Sequence, residues 1–412
     1  MGSYRSLESC RLGGQRNLIS VLNLGEQALT GVFPPSAETP VTRGPLELLW
    51  CPDSGLLQLG HSFDPQEMYG DNYGYRSGLN ASMVQHLSDK VRSLERLVQP
   101  RSDDVVLDIG SNDGTTLKAY ATAGLQRVGI DPTASKWRQY YPDDIAVVPD
   151  FFSGEAYRRV TRRSARIVTS IAMLYDLDDP VGFAREVASI LASDGVWHFE
   201  QSYMPSMLRT NSYDTICHEH LEYYTLRAIV QMLDAADLQV VDVVTNAING
   251  GSFAVTAAHR SSTAFAPNRA VIDWLLHQEY RMGLNTPRPY REFEERVFRH
   301  RQDLQRLIRA LNDDGKKVLG YGASTKGNVM LQFCGLTAAD LPAIADVNPL
   351  KHGCVTPGSH IPIIGEVEAH AMQPDYFLVL PWHFKHGILQ REKEFLQRGG
   401  KFIFPFPEIE IV

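Results

Sequence analysis

Dense runs of lysine and arginine are absent from this 412-residue chain, whose formal net charge is -8. Nothing in it offers the basic footprint that a nucleic-acid partner requires. Long apolar runs are missing too: no stretch approaches the roughly 20 apolar residues of a membrane helix, and the first residues carry no apolar signal core. The expectation is a soluble, cytoplasmic protein that meets neither nucleic acid nor membrane. Cysteine is sparse. Its five copies, at positions 10, 51, 217, 334 and 354, are odd in number and scattered too widely for a disulfide framework, so reduced thiols are expected. What remains is an ordinary globular composition, 43% hydrophobic and 21% charged, in a chain too long for one core. Two or three domains are expected.

The stretch that organises the rest is Val105-Val106-Leu107-Asp108-Ile109-Gly110-Ser111-Asn112-Asp113-Gly114. It reads as a buried strand ending in an acid, then a glycine turn that opens a helix near Thr115. Such a turn sets bare backbone amides at the carboxyl edge of a parallel sheet, where these sheets bind ligands. Arg127-Val128-Gly129-Ile130-Asp131 follows as a second strand ending in an acid, placed to take both hydroxyls of a ribose. Ile145 to Val148 leads in the same way to Asp150. The bland alternative is that the glycines serve a tight turn and the acids cap helices. Asn112 stands where a dinucleotide fingerprint wants a second close glycine. The turn therefore resembles the adenosylmethionine turn of class I methyltransferases more than an NAD turn.

Before this core lies a segment rich in Gly, Pro and Leu, residues 1 to about 80, with short apolar runs such as Leu18 to Leu22 and Leu56 to Leu59. It suits a small β-rich module that needs a staple. Cys10-Arg11-Leu12-Gly13 and Cys51-Pro52-Asp53-Ser54 each begin like a Cys-x-x-Cys zinc knuckle, but Gly13 and Ser54 fill the closing positions. Structural zinc wants four ligands, so even with His61 nearby Cys10 and Cys51 are expected to be unligated. The following linker, from Asp71 to Asn80, carries Tyr73, Tyr75 and Arg76 ahead of an amphipathic helix from about Ala81 to Val98. Linkers at domain borders often lie across a pocket mouth, where Tyr73 or Tyr75 would face a ligand. Covering the domain seam is the alternative role.

From about 100 to 260, strand and helix alternate, predicting a doubly wound sheet. Its strands include Arg166 to Ile171 and Gly195 to Glu200, with a helix from Pro180 to about Leu191 between them. Gln239 to Thr245 and Ser252 to Ala258 read as a closing antiparallel hairpin, an ending typical of methyltransferase domains rather than dehydrogenases. Between Glu200 and Gln239 sits Tyr213-Asp214-Thr215-Ile216-Cys217-His218-Glu219-His220-Leu221-Glu222-Tyr223-Tyr224. Two imidazoles flanking a carboxylate among phenols offer a base, a group to orient it and donors for an oxyanion. The His-x-His spacing does not match zinc peptidases. Imidazoles capping a helix are the structural alternative.

The last part begins near residue 265. A charge-rich helix is expected over Pro287 to Asn312, then a strand over Lys317 to Ala323 running into a second glycine turn with Gly322, Ser324, Thr325 and Lys326. Amides, hydroxyls and a cation gathered there suit a diphosphate. Strands Ala343 to Val347, Tyr376 to Leu380 and Lys401 to Phe404 complete a smaller α/β unit, with Trp382-His383 at a strand end.

Three co-linear motifs, DIGSNDGTTL from Asp108, CHEHLEYY from Cys217 and GYGASTKGN from Gly320, make the chain resemble the deoxysugar 3-C-methyltransferases of antibiotic pathways. Some of those, in mycarose biosynthesis of the mithramycin pathway, are bifunctional and also reduce the ketone. The resemblance covers nearly the whole chain. It implies an α/β protein in three parts: a degenerate zinc-binding head (residues 1–80), a class I methyltransferase-type doubly wound sheet (81–262) and a C-terminal Rossmann-like domain (263–412). It implies S-adenosylmethionine bound at Asp108, Gly110, Asn112, Gly114, Asp131 and Asp150. His220 would be the base and Glu219 its partner, with Tyr75 a substrate-side hydroxyl and His218 and Tyr224 beside them. The partner would be a dTDP-linked 4-keto deoxysugar, held by Tyr73, Arg76, Gly322, Ser324, Thr325, Lys326, Asn328, Asp346 and His360. Cys217 stands where relatives often carry a tyrosine. Two other readings remain open at this stage: a bifunctional enzyme that also uses NADPH, and a non-catalytic sensor of the same ligands.

Overall fold

A computed structural model describes residues 4–64, 68 and 76–412. The first strands are β1 (Tyr4–Ser6), β2 (Ile19–Ala28), β3 (Arg43–Trp50), β4 (Leu57–Leu59) and β5 (His61–Phe63). β3 was not expected as a strand, yet it alternates strictly, Leu46, Leu48 and Trp50 inward and Glu47 and Leu49 less buried. That period of two is what a half-buried sheet requires. β2, β3 and β4 form an antiparallel sheet, while β1 pairs with β5.

The central sheet draws on β6 (Val105–Ile109), β7 (Gln126–Ile130), β8 (Ile145–Val148), β9 (Ala165–Ile171), β10 (Leu191–Ser202), β12 (Leu238–Asn246) and β13 (Ser252–His259). Its order is β12-β13-β10-β9-β6-β7-β8, parallel except for β13, which runs antiparallel to both neighbours. This is the class I methyltransferase arrangement, with the expected hairpin as its last two strands. Every residue of β6 is buried, as a central strand covered on both faces must be. The chain leaves β6 in one direction towards β7 and returns on its other side at β9, so the ligand crevice opens above the carboxyl end of β6.

Inserted before β12, β11 (Glu222–Tyr223) pairs not with this sheet but with β4 of the head. The segment that carries the two imidazoles is thereby tied to the head. The expected C-terminal part contains β14 (Val318–Tyr321), β15 (Ile344–Asp346), β16 (Ile363–Gly365), β17 (Tyr376–Val379), β18 (Lys401–Phe404) and β19 (Glu410–Ile411), ordered β16-β15-β14-β17-β18-β19. β14 is the switch strand here, just as β6 is in the central sheet.

The sequence reading gave residues from 263 onward to the C-terminal unit, but packing divides them differently. Helix Arg269–Arg281 buries Ile272 and Leu275 in the core of the central sheet, and its Glu279 accepts from the amides of Leu226 and Arg227. Helix Arg288–Asp313 instead buries Tyr290, Phe293 and Val297 in a core shared by the head and the C-terminal sheet, with the Trp50 and Tyr290 rings 4.8 Å apart. Among the described residues no helix is long and apolar enough to cross a membrane.

Candidate active site

The turn after β6 is held from beneath and from above. Gly110 and Gly114 both have left-handed φ, 73° and 74°, and a side chain at Gly114 would meet the Tyr141 ring at 2.8 Å. Tyr141 donates its hydroxyl to the Asn112 carbonyl at 2.7 Å. Asp108, at the end of β6, accepts from the Thr169 hydroxyl at 2.6 Å; burial pushes its pKa up to about 7, against the pull of the Thr169 and Thr116 hydroxyls. Asp131, at the end of β7, takes the Asn112 amide on Oδ2 at 2.8 Å and the Thr133 amide on Oδ1 at 2.6 Å. The Thr133 hydroxyl also donates to Oδ1 at 2.6 Å, so that oxygen is filled and Oδ2 keeps one acceptor site for a ribose. Asp150, beyond β8, is bound by Arg159 at 3.4 Å.

A strap crosses this turn. The amides of Ser77 and Gly78 donate to the side chains of Asn112 at 2.9 Å and Asp113 at 3.0 Å, and the Arg76 guanidinium lies 4.2 Å over the Tyr140 ring. The described end of the linker therefore lies against the turn after β6. Arg76, expected on the nucleotide sugar, belongs to the strap over the first turn. Tyr73 and Tyr75 lie outside the described residues.

The stretch from Tyr213 to Tyr224 is strung across the head, the central sheet and the C-terminal unit. Tyr213 is buried among His300, Phe333 and Phe406, and Asp214 accepts the Trp382 indole N–H at 2.8 Å, both in the C-terminal unit. The Leu221 amide donates to the Tyr175 carbonyl at the edge of the central sheet, and β11 joins the head. At this junction the Nδ1–H of His220 donates to the Thr215 carbonyl at 2.9 Å, which leaves Nε2 with the lone pair. Burial and then the nearby Lys326 cation push the His220 pKa down to about 3, so the ring is neutral. The Tyr175 ring lies 4.3 Å away, and the Tyr223 hydroxyl donates to the same Thr215 carbonyl at 3.3 Å.

Other members of the run go elsewhere. Glu219, expected to orient His220, accepts from the Thr30 hydroxyl at 3.3 Å and lies against Gly31 of the head; burial raises its pKa. The orienting group is the Thr215 carbonyl instead. His218 donates to the Gly44 carbonyl at 3.3 Å, with its ring edge-on to Phe63, and burial lowers its pKa to about 4. It anchors the run to β3. Tyr224, expected beside the base, is fully buried towards Glu222, Arg11 and Cys10; the neighbouring Tyr223 supplies the phenol.

The second glycine turn meets the same junction. Gly322 has φ 81° because Pro381 closes on it: a side chain there would come within 2.6 Å. The Ser324 hydroxyl caps its helix by accepting from Gly327 at 3.0 Å, Thr325 faces Gly31, and Asn328 is buried, donating to the Thr30 carbonyl at 2.8 Å. Lys326 donates to the Asn249 carbonyl at 3.3 Å, in the loop of the central hairpin, and its charge is felt by Asp214, His220 and His383. Asp346 accepts from the Asn348 amide at 2.7 Å, with Lys351 3.9 Å away. Lys351, which sequence reasoning missed, donates to the Ala323 carbonyl of the turn at 2.6 Å. His360 is exposed in the loop before β16. Of the residues expected on the nucleotide, Ser324 and Asn328 are thus committed to the fold, and Lys326 turns to Asn249 and the surroundings of His220.

Known proteins align with this layout. Residues 10–69 match a putative zinc binding domain, residues 82–243 a methyltransferase domain and residues 247–407 a C-methyltransferase C-terminal domain. The chain is 32% identical to the C-methyltransferase NovU of Streptomyces niveus over 99% of its own length and 97% of that protein. Among solved structures it is similar to the mitomycin 7-O-methyltransferase MmcR, at 14% identity over 44% of this chain and 55% of that one, with a TM-score of 0.36. An O-methyltransferase family protein from Burkholderia thailandensis gives 17% identity over 47% and 63%, with a TM-score of 0.36.

Zinc does not fit the head. Both knuckle turns persist, with Gly14 and Gly55 left-handed and their amides donating to the Cys10 and Cys51 carbonyls at 2.8 Å. Their ligands do not: the Cys10 thiol meets the Ser54 hydroxyl at 3.2 Å, and Gly13 has no side chain to offer. His61 packs edge-on against Tyr4, and among the described residues no group of three or more potential ligands converges. Two thiols fall short of a structural tetrahedral site.

Proposed function

The chain belongs to the C-methyltransferase family, and from that premise we propose that it transfers a methyl group from S-adenosylmethionine to C3 of a dTDP-linked 4-keto deoxysugar such as dTDP-4-keto-olivose. The observation that carries this reading is His220: its Nδ1–H is spent on Thr215, its Nε2 has no hydrogen-bond partner among the described residues, and it sits where the central sheet meets the C-terminal turn. A ketone at C4 acidifies the C3–H, but not enough for release without a base within hydrogen-bond reach and a stabilised enolate. His220 Nε2 is that base. The Thr215 carbonyl fixes the tautomer and steadies the imidazolium that forms.

The pocket around the turn after β6 fits an adenosyl nucleoside, with acids at three adjacent strand ends and the strap of residues 76–79 above. When bound there, the donor supplies an electrophilic methyl on a sulfonium. Asp131 holds the ribose side, the turn positions the sulfonium end, and the strap excludes water, so that proximity does most of the remaining work.

Reduction of the same ketone by a nicotinamide cofactor has one arrangement in its favour. Gly322 and Asp346 follow adjacent parallel strands, β14 and β15, as a glycine turn and ribose acid do in dinucleotide sites. An acid there repels a 2′-phosphate, which favours NADH over NADPH. A sensor without catalysis has no use for a base with a fixed tautomer.

The test is the mass of the product from dTDP-4-keto-olivose and labelled methyl donor, alone and with NADH or NADPH. One added methyl is expected, and an unchanged sugar would overturn the proposal. His220→Asn is expected to bind both ligands yet lose roughly 10²- to 10⁴-fold in methyl transfer. A near-normal rate would move the base elsewhere, and lost binding of the sugar nucleotide would make His220 structural.

A further inference from the structure

We propose that Lys326 is a catalytic residue whose ammonium takes the ketone oxygen of the sugar while His220 removes the adjacent proton. This rests on the C-methyltransferase reading above and adds to it a source for the charge on the enolate. A glycine turn followed by lysine suggests a diphosphate contact, and three observations argue against that use here. The Lys326 ammonium turns away from its own turn and donates to Asn249 in the hairpin loop of the central sheet. The groups that feel its charge are Asp214 and His220 of the catalytic run and His383 beyond β17, which places it inside the junction. One of those is a buried carboxylate, Asp214, held by Trp382. A doubly charged diphosphate beside that carboxylate would meet repulsion, whereas a neutral ketone meets none. The cation lying along the turn itself is Lys351, on the Ala323 carbonyl.

The junction also holds an unpaired polar atom. The buried Nδ1 of His383 has no hydrogen-bond partner among the described residues, and a buried polar atom of that kind is costly unless something binds it. A sugar hydroxyl has the chemistry to do so.

The step balances without any co-reactant. The C3 proton passes to His220 Nε2, the C–H electron pair becomes the C3–C4 π bond, and the carbonyl π pair moves onto oxygen, facing the Lys326 ammonium. At rest burial, and after it the same cation, keep His220 unprotonated. As negative charge gathers on the oxygen it offsets Lys326, and the imidazole becomes more basic as its proton arrives. Lys326 thus opposes protonation of His220 before the reaction and favours it during the reaction. The groups facing His220 in this exchange are Lys326, Tyr175 and, through Thr215, Tyr223.

Lys326→Met and Lys326→Arg in the full chain decide the matter, read by exchange of the C3 hydrogen of dTDP-4-keto-olivose in heavy water without methyl donor. For Lys326→Met, dTDP alone is expected to bind within about twofold of the parent while exchange at saturating sugar falls roughly 10²- to 10³-fold, in kcat rather than KM. Lys326→Arg keeps the charge and is expected to retain part of the exchange, which separates loss of charge from misfolding. Weakened dTDP binding in Lys326→Met with exchange intact at saturation would make Lys326 a diphosphate contact and overturn the proposal. Unchanged binding and exchange would overturn it as well. Absence of exchange in the parent protein would overturn the sugar reading itself, a failure distinct from that of Lys326 alone.

Discussion

The turn after β6 and the turn after β14 are built on one plan: a buried parallel strand at the switch point of its sheet, a left-handed glycine, then a helix. They serve different ends. Around the first, Asp108, Asp131 and Asp150 stand at or just beyond three adjacent strand ends, and Asp131 accepts the Asn112 amide of the turn. At the second, Pro381 closes on Gly322, Ser324 caps its own helix, and Asn328 fastens the turn to Thr30 of the head. What projects from the second is Lys326, which reaches the hairpin loop at Asn249 and the surroundings of His220. The difference teaches that a strand, glycine turn and helix define a place on a sheet, while neighbouring side chains decide whether that place holds a ligand or presents a group.

The comparison breaks most sharply at its glycines. Gly114→Ala and Gly322→Ala each force a left-handed residue, at roughly 1–2 kcal/mol, and a close contact, at about 1–3 kcal/mol. Gly114→Ala is expected to weaken S-adenosylmethionine in calorimetry, whereas Gly322→Ala should lower the melting temperature and leave donor affinity within about twofold. Equal loss of donor binding in both would mean that the turns do not divide their labour. Asp131→Ala comes next, with a cost to donor affinity of roughly 1–3 kcal/mol for buried groups left unpaired. Unchanged affinity would remove Asp131 from the pocket.

A smaller effect separates the two imidazoles. His218→Leu leaves the Gly44 carbonyl without its donor and should cost about 1–3 kcal/mol of stability in thermal melts, with kcat intact. A fall in kcat comparable to that of His220→Asn would return His218 to the chemistry. The smallest expected effect is none at all. Chelators should leave the melting temperature unchanged, and elemental analysis should find well under one zinc per chain, because the head is held by packing and by Arg11, which donates to the Leu59 carbonyl at 2.9 Å and to Ser62 at 2.8 Å. Stoichiometric zinc would show that Cys10 and Cys51 have recruited further ligands.

Local pattern carried most of the architecture. The alternation from Val105 onward gave the central sheet, the short link between Thr245 and Ser252 gave the hairpin, and Asn80 capping Ala81–Val98 marked the helix start. Short edge strands such as Ile363–Gly365 are too brief to announce themselves, and β3 was passed over although its alternation was present. In the site, a local motif sufficed to set Asp131 just past the end of its strand, β7. Tyr223 and Tyr224 show the limit: adjacent strand residues face opposite sides, and only the pairing of β11 with β4 says which side meets His220. Lys326 shows another. Its direction depends on how the C-terminal sheet meets the hairpin loop at Asn249, which no sequence spacing encodes.

His220 is held neutral first by burial and then, from the other unit, by Lys326. Its folded pKa lies below the ordinary value, so the ring stays deprotonated as pH falls through 6.5 and gains its proton only near 3. Histidine NMR on the intact chain and on Lys326→Met reads this directly. In the parent, His220 should appear as the neutral tautomer with hydrogen on Nδ1 throughout pH 5 to 8, and in Lys326→Met its pKa should rise. An imidazole that titrates near 6.5 in the parent, or one unmoved by removing Lys326, would contradict the claim that the two units meet at the base.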